Sequence, residues 1–291
     1  MDHGRQHWVP SSYLEPWCDP DRPPHYKPYV WIFPKDGGHG QRKAPRNIFA
    51  ETDFYTIRVP DGSRELSLEH GLSSLETKFA RARENRIEKR RLLSAEEKVW
   101  VCAFIAAMHF RTRAQRNAFR QQWGHALRVA EDLQQRLNAM SPERRKEYRP
   151  PTVPGETREP SISIEQVREL SERPLQQMLP NIIESDLPIL ARMNLVILTT
   201  DDAVGFVTSD HPCVWFDERV PRRGPLSLRS RTIEVSMPVS PRSLALLCWE
   251  DLPSYKSMSL QELDKANRLQ QANCDEYLVV CREALKAEWF R

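Results

Sequence analysis

The chain has 291 residues, 40% of them hydrophobic and 29% charged, with a formal net charge of +3. Such a chain can bury a substantial core, and its longest apolar run, Val99 to Met108, falls well short of the roughly 18 residues of a membrane helix. The small net charge does not mark a nucleic-acid protein, although Arg81–Arg91, Arg111–Arg120 and Arg219–Arg231 are locally basic. The opening Met1–His7 carries no apolar segment of the signal-peptide kind, so a cytoplasmic location and no membrane association are expected. None of the cysteines makes a Cys-x-x-Cys pair, and most lie in apolar runs, which disfavours structural zinc on thiolates.

In chain order, residues 1–60 read as a wrapping segment with one clear strand, Tyr29–Phe33, bounded by Pro28 and Pro34. A second short strand is expected near Ile48 or Tyr55. From Leu66 to about Leu92, Leu68, Leu72, Leu75 and Phe79 recur at helical spacing. Ser94 to Glu97 then forms a capping box, opening a helix expected to run unbroken to about Asn138. Its first half is apolar on every side and therefore central and buried. The proline-rich stretch Ser141–Pro160 reads as an exposed loop or hinge. Helical pattern resumes from Ile164 to Met193, where Pro174, Pro180 and Pro188 are expected to cut it into short pieces.

The C-terminal third changes to strands. Leu195–Thr199 and Gly205–Thr208 flank Asp201-Asp202 as a predicted hairpin. Cys213–Phe216, Thr232–Met237 and Leu244–Trp249 are further strands, followed by a helix over Leu260–Ala272 and a closing strand over Tyr277–Cys281. The expectation is one α+β domain over residues 1–291. A central helical bundle (66–193) packs on a mostly antiparallel sheet from the C-terminal part (194–291) plus the N-terminal strand.

Glycine-rich nucleotide loops, His-Glu-x-x-His and Gly-x-Ser-x-Gly are absent, which disfavours dehydrogenases, phosphate-loop enzymes, zincins and ordinary esterases. What remains are polar residues where the pattern calls for apolar ones. Glu69 and Glu76 lie seven apart, two turns along one helix face. His109 and Arg113 come directly after the buried run. If the two helices pack together, Glu69, Glu76 and His109 form an oxygen-and-nitrogen set suited to Mg²⁺ or Mn²⁺. The alternative is ordinary pairing: Glu69 with a neighbouring arginine, and His109 as a satisfied histidine. Glu51, Asp53 and Tyr55 alternate as one strand face would. Asp210 and Ser209 end a strand before Pro212. They are either a turn anchored on backbone amides or part of a pocket with His7 and Tyr13, with His7 as a base for Ser209.

The segments His7-Trp8-Val9-Pro10-Ser11-Ser12-Tyr13-Leu14 and Thr208-Ser209-Asp210-His211-Pro212 resemble the bacterial domain-of-unknown-function 4238 family. Further similar segments occur in the same order. They are Asn47 to Tyr55, the Leu68-Glu69 and Leu75-Glu76 pairs, His109 to Arg113 (where the family more often has Gln in place of His109), Met237 to Pro241, and Asn267. The resemblance implies positions, not an activity.

The reading that joins these features is a metal-assisted hydrolase of the nuclease kind acting on a phosphodiester. His7, Asp210, Glu69 and Glu76 would be catalytic, and Arg111, Arg113 and Arg116 would contact nucleic acid. The alternative is a non-catalytic module that binds nucleic acid or a protein, in a bacterial defence or stress system. Either way, His7, Tyr13, Glu51–Tyr55, Glu69, Glu76, Arg111 and Asp210 are expected to share one cleft.

Overall fold

The capping box at Ser94 forms as expected: its hydroxyl accepts from the Glu97 amide, and the Glu97 carboxylate accepts from the Ser94 amide. The helix it opens is the third in the chain. The computed structural model describes residues 4–59, 62–147, 162–221 and 224–290. In order these hold β1 (Arg5–His7), α1 (Ser11–Leu14), β2 (Val30–Pro34), β3 (Gln41–Lys43), β4 (Ala50–Thr52), β5 (Ile57–Arg58), β6 (Arg64–Glu65) and α2 (Ser67–Ala82). Next come α3 (Ala95–Phe110), α4 (Arg113–Ala139), α5 (Pro142–Glu147), α6 (Ile164–Glu172), α7 (Pro174–Arg192), β7 (Asn194–Thr199), β8 (Thr208–Ser209) and β9 (Val214–Asp217). The series closes with β10 (Ile233–Ser240), β11 (Ser243–Cys248), β12 (Tyr255–Ser257), α8 (Leu260–Asn273) and β13 (Tyr277–Val280). Most of the expected Ser141–Pro160 loop lies outside the described residues.

The architecture is α+β, with helices α2, α3 and α7 against antiparallel strands. α3 buries every residue from Val101 to Met108 and packs between α2 and α7, so this apolar stretch of the helix sits where no face meets water. Phe79 of α2 and Phe104 of α3 stack with centroids 3.9 Å apart. One cluster of buried side chains joins the N-terminal segment (Trp8, Tyr13, Trp17), α2, α3, α7 and the strands β10 and β11.

Three local expectations are corrected. The single helix from Ser94 to Asn138 is broken at Arg111 and Thr112. Thr112 turns extended, and its hydroxyl accepts from the Gln115 amide, capping α4. Conversely, α7 runs on through Pro180 and Pro188. Each proline removes a backbone hydrogen bond at a cost of about 3 kcal/mol, which burial of Leu175, Leu179 and Leu190 offsets. Finally, Leu195–Thr199 and Gly205–Thr208 do not pair as a hairpin. β7 is flanked by β11 and β12 in a five-stranded sheet, while β8 joins a four-stranded sheet of order β3-β2-β13-β8. The strands thus make two main sheets rather than one, and the N-terminal strand β2 pairs antiparallel with the last strand, β13.

The chain changes sheets at Gly205, whose φ is +70°. Asp202 accepts from the Val204 and Gly205 amides, both at 3.0 Å. A Cβ at Gly205 would run into the Pro241 carbonyl oxygen, the acceptor of the Phe206 amide. Gly205→Ala is therefore expected to lose about 2–4 kcal/mol from left-handed strain and backbone displacement, read as a lower midpoint in urea denaturation.

Candidate functional site

The helix break places Arg111 at the end of α3, with its side chain only 3% exposed. Its Nη1 donates to Glu76 Oε1 at 2.7 Å, its Nη2 to the His7 carbonyl at 2.7 Å, and its Nε to the Tyr55 hydroxyl at 3.0 Å. Burial works against the guanidinium charge, but Tyr55 and Glu76 outweigh it and hold the pKa above the usual arginine value. Burial in turn pushes the Tyr55 hydroxyl up to about 12, so it stays protonated and donates to the Arg111 carbonyl. Removing one partner of a buried ion pair strands the other.

Around this guanidinium lies a cleft of about 130 Å³ between β1 and α2, lined by His7, Glu69, Glu76 and Arg5 among others. Gln6, which sequence reasoning missed, is buried beneath it. Its side-chain amide donates to Glu69 Oε2 and to Thr56 Oγ1, and its carbonyl accepts from the Tyr55 amide. Only its place between exposed Arg5 and half-buried His7 in the alternation of β1 hinted at this. His7 Nε2 lies 3.1 Å from the Arg46 carbonyl oxygen. A carbonyl only accepts, so Nε2 carries the proton and a neutral ring keeps its lone pair on Nδ1. Burial draws the His7 pKa below its usual value of 6.5, partly opposed by the Arg46 carbonyl and the charge of Glu76.

The expected metal set Glu69, Glu76 and His109 is not assembled. Residues two apart on a helix point about 200° apart, so with Arg111 turned towards α2, His109 faces β9. There it stacks on Trp215, with centroids 4.3 Å apart, and lies 5.8 Å from His211. Among the described residues, no three His, Cys, Asp or Glu side chains are placed to hold one ion. The Glu51-Asp53-Tyr55 strand face does not form either: β4 ends at Thr52, and Asp53 turns left-handed with φ +57°. Glu51 is held bidentate by Arg116 at 2.8 and 3.1 Å, which lowers its pKa, and Asp53 accepts from Arg64 and Thr56. Of the three arginines expected to contact nucleic acid, Arg111 and Arg116 are thus buried in ion pairs. Arg113 faces Glu276 at 3.5 Å.

Asp210 does not join the His7 cleft. Its carboxylate accepts from the Asp275, Glu276 and Tyr277 amides at 2.7–3.0 Å, which is the turn-anchor reading. Burial nevertheless raises its pKa against those three amides. Ser209 is fully buried, and its hydroxyl oxygen accepts from Gln270 Nε2 and the His211 amide, away from the His7 cleft. Tyr13 donates to the Pro238 carbonyl at 2.6 Å and meets Thr208 Oγ1 at 2.8 Å, inside the core rather than at a pocket. Asn267 clasps the switching strand, donating to the Gly205 carbonyl and accepting from the Val207 amide.

These positions acquire a common frame from one comparison. The family profile described as a protein of unknown function, DUF4238, matches residues 5–284. The chain belongs to that family. No curated protein and no solved structure matches it. Within the DUF4238 frame the short segments divide into two kinds. Tyr13, Ser209, Asp210 and Asn267 tie backbone to backbone, whereas His7, Tyr55, Glu69, Glu76 and Arg111 gather around the β1–α2 cleft.

Arg111→Met should destabilise the fold by about 3–5 kcal/mol, because it strands Glu76, and Arg111→Lys by less, both read by chemical denaturation. A second expectation concerns pH. Burial lowers His109 from 6.5 to about 3 and His211 from 6.5 to about 4. Below pH 6.5 the unfolded chain takes up protons that the folded rings refuse. Stability therefore falls as the pH drops from 6.5 towards the folded values, by up to about 1.4 kcal/mol per pH unit for each histidine. Urea titrations of wild type and a His109→Gln/His211→Asn double variant at pH 7.5 and 5.5 should show a clearly smaller loss in the variant, where His7 remains as a buried histidine of lowered pKa.

Proposed function

We propose that the chain is a hydrolase working by general acid–base catalysis in the β1–α2 cleft, with His7 as the base. The observation that carries this reading is the fixed tautomer of His7. Its Nε2–H is tied to the Arg46 carbonyl, its pKa lies below the usual histidine value, and Nδ1 has no partner among the described residues. A neutral ring with a free lone pair at the wall of a polar cleft is what proton abstraction from water near pH 7 requires.

In this scheme Nδ1 takes a proton from a water as its oxygen attacks a carbonyl carbon of the substrate. The imidazolium then returns that proton to the leaving oxygen or nitrogen. Glu76, whose charge pulls the His7 pKa upward, stabilises the imidazolium between the two transfers. Arg111 holds both ends of this pair in place, through Glu76 and through the His7 carbonyl. Glu69 keeps Oε1 for a donor group of the substrate while Oε2 is held by Gln6.

The charge of the cleft selects the substrate. Glu69 and Glu76 both line it, and Arg111 is committed to Glu76, which leaves Arg5 as the remaining basic side chain of the lining. With Glu76 paired to Arg111, and Glu69 set against Arg5, the cleft carries no surplus positive charge to draw in a phosphodiester. A neutral or cationic ester or amide suits the site better, a shift from the phosphodiester substrate expected from sequence.

The test is a panel of chromogenic esters, amino-acid anilides and phosphodiesters, each with and without a chelator. Turnover of an ester or amide, indifferent to chelator and reduced about 10²–10⁴-fold in His7→Gln, is the expected result. Equal rates in wild type and His7→Gln, or cleavage confined to phosphodiesters with added Mn²⁺, would overturn it.

A further inference from the structure

The second half of α4 carries apolar side chains on two faces, and the body of the protein covers one of them. At about 100° per residue, Arg120, Trp123 and Glu131 lie about 80–160° round the helix from Leu133, and this face meets α6 and α7. Arg120 donates to the Glu172 carbonyl, Trp123 Nε1 to Met178 Sδ at 3.1 Å, and Glu131 pairs with Arg168 at 2.8 Å. Ala126, Val129, Ala130, Leu137 and Met140 instead fall within about 60° of Leu133 itself. On that stripe Val129, Leu133 and Leu137 are 47%, 53% and 37% exposed. Single leucines in water are ordinary, but a stripe running about four turns marks an interaction surface. It contributes nothing to the His7 cleft, so what docks there is independent of the hydrolase reading.

The order of residues on this face says what fits it. Counted outward from Leu133, Val129 and Leu137 lie four residues to either side, and Ala126 and Met140 seven. A second α4 laid antiparallel therefore sets apolar against apolar along the whole stripe. Charge agrees with that direction. Asp132 and Arg136 sit on one flank of the stripe, joined within the chain at 2.8 Å as an exposed pair. A two-fold axis at Leu133 brings Asp132 of one copy to within about 3 Å, measured along the helix, of Arg136 of the other. Parallel alignment would oppose Arg136 to Arg136 and Asp132 to Asp132, at a cost in like-charge repulsion. An interface built on a two-fold axis must be its own complement, and this face is.

We infer that the protein self-associates through α4, two copies crossing antiparallel about a two-fold axis at Leu133. Leu133 packs on Leu133 and Val129 on Leu137, while Ala126 and Ala130 let the helices approach to the usual 8–10 Å or so. Two Asp132–Arg136 pairs close one flank. The seam is about 21 Å long, at the small end of specific interfaces, so the dimer dissociates on dilution.

Sedimentation velocity of the purified full chain, from about 1 to 200 µM, tests this. A reversible monomer–dimer equilibrium is expected. Leu133→Arg should weaken it about tenfold or more while leaving the urea midpoint unchanged, since the side chain is exposed in the monomer. Asp132→Arg should also weaken it, and Asp132→Arg/Arg136→Asp should restore it. Direction is read by mild oxidation: Val129→Cys mixed with Leu137→Cys should give a disulfide-linked dimer, well above either variant alone or wild type. A monomer at every concentration would overturn the inference. So would a dimer that Leu133→Arg leaves intact, a charge-reversed double variant no tighter than Asp132→Arg, or Val129→Cys linking to itself as readily as to Leu137→Cys.

Discussion

A buried guanidinium organises this molecule. Arg111 leaves the end of α3 and meets α2 through Glu76, the backbone of β1 through the His7 carbonyl, and the segment after β4 through Tyr55. An arginine charge out of water is tolerated only when its donors are matched. All the pieces must therefore be seated together. The His7 cleft is a direct consequence: the contacts that satisfy Arg111 also fix the backbone that carries the His7 ring and the carboxylate beside it.

The N-terminal segment has no core of its own and borrows one. Trp8, Val9, Tyr13, Leu14 and Trp17 are all buried in the main cluster, and the polar atoms of Tyr13 and Trp17 reach residues far along the chain. Trp17 donates to the Phe206 carbonyl and Tyr13 to the Pro238 carbonyl. β2 then pairs with β13, so the beginning and the end of the chain share one sheet, and Asp210 pins the turn that leads into β13. Long-range pairing of this kind makes the N-terminal sixty residues part of the fold rather than an appendage.

Within the DUF4238 segments, polar groups differ in whether their hydrogen bonds close. Asp210, Ser209, Asn267 and Tyr13 each find protein partners that hold neighbouring backbone in position. His7 does not: only its Nε2 has a protein partner among the described residues, and the ring lies at the wall of the β1–α2 cleft. A closed network is what structure needs, and an open valence at a cleft wall is what a ligand or reaction can use.

Signals that act over a few residues were legible in the sequence. The Ser94–Glu97 capping box, the three-and-four spacing of α2, the all-apolar face count of α3 and the short strands of the C-terminal third each reflect contacts a segment makes with itself or with any apolar neighbour. The DUF4238 segments likewise marked which positions matter. Tertiary structure decided what local signals cannot carry. Thr112 caps a new helix within an apolar pattern that otherwise continues, and that break aims Arg111 at Glu76 and turns His109 away, dissolving the expected metal set. β7 and β8 separate because β11 and β12 take both flanks of β7. Pro180 and Pro188 stay helical because the buried leucines around them outweigh two lost hydrogen bonds. Whether Glu76 meets a metal, water or arginine depends on which side chain arrives across the helix interface, and that is settled by packing between elements distant in sequence.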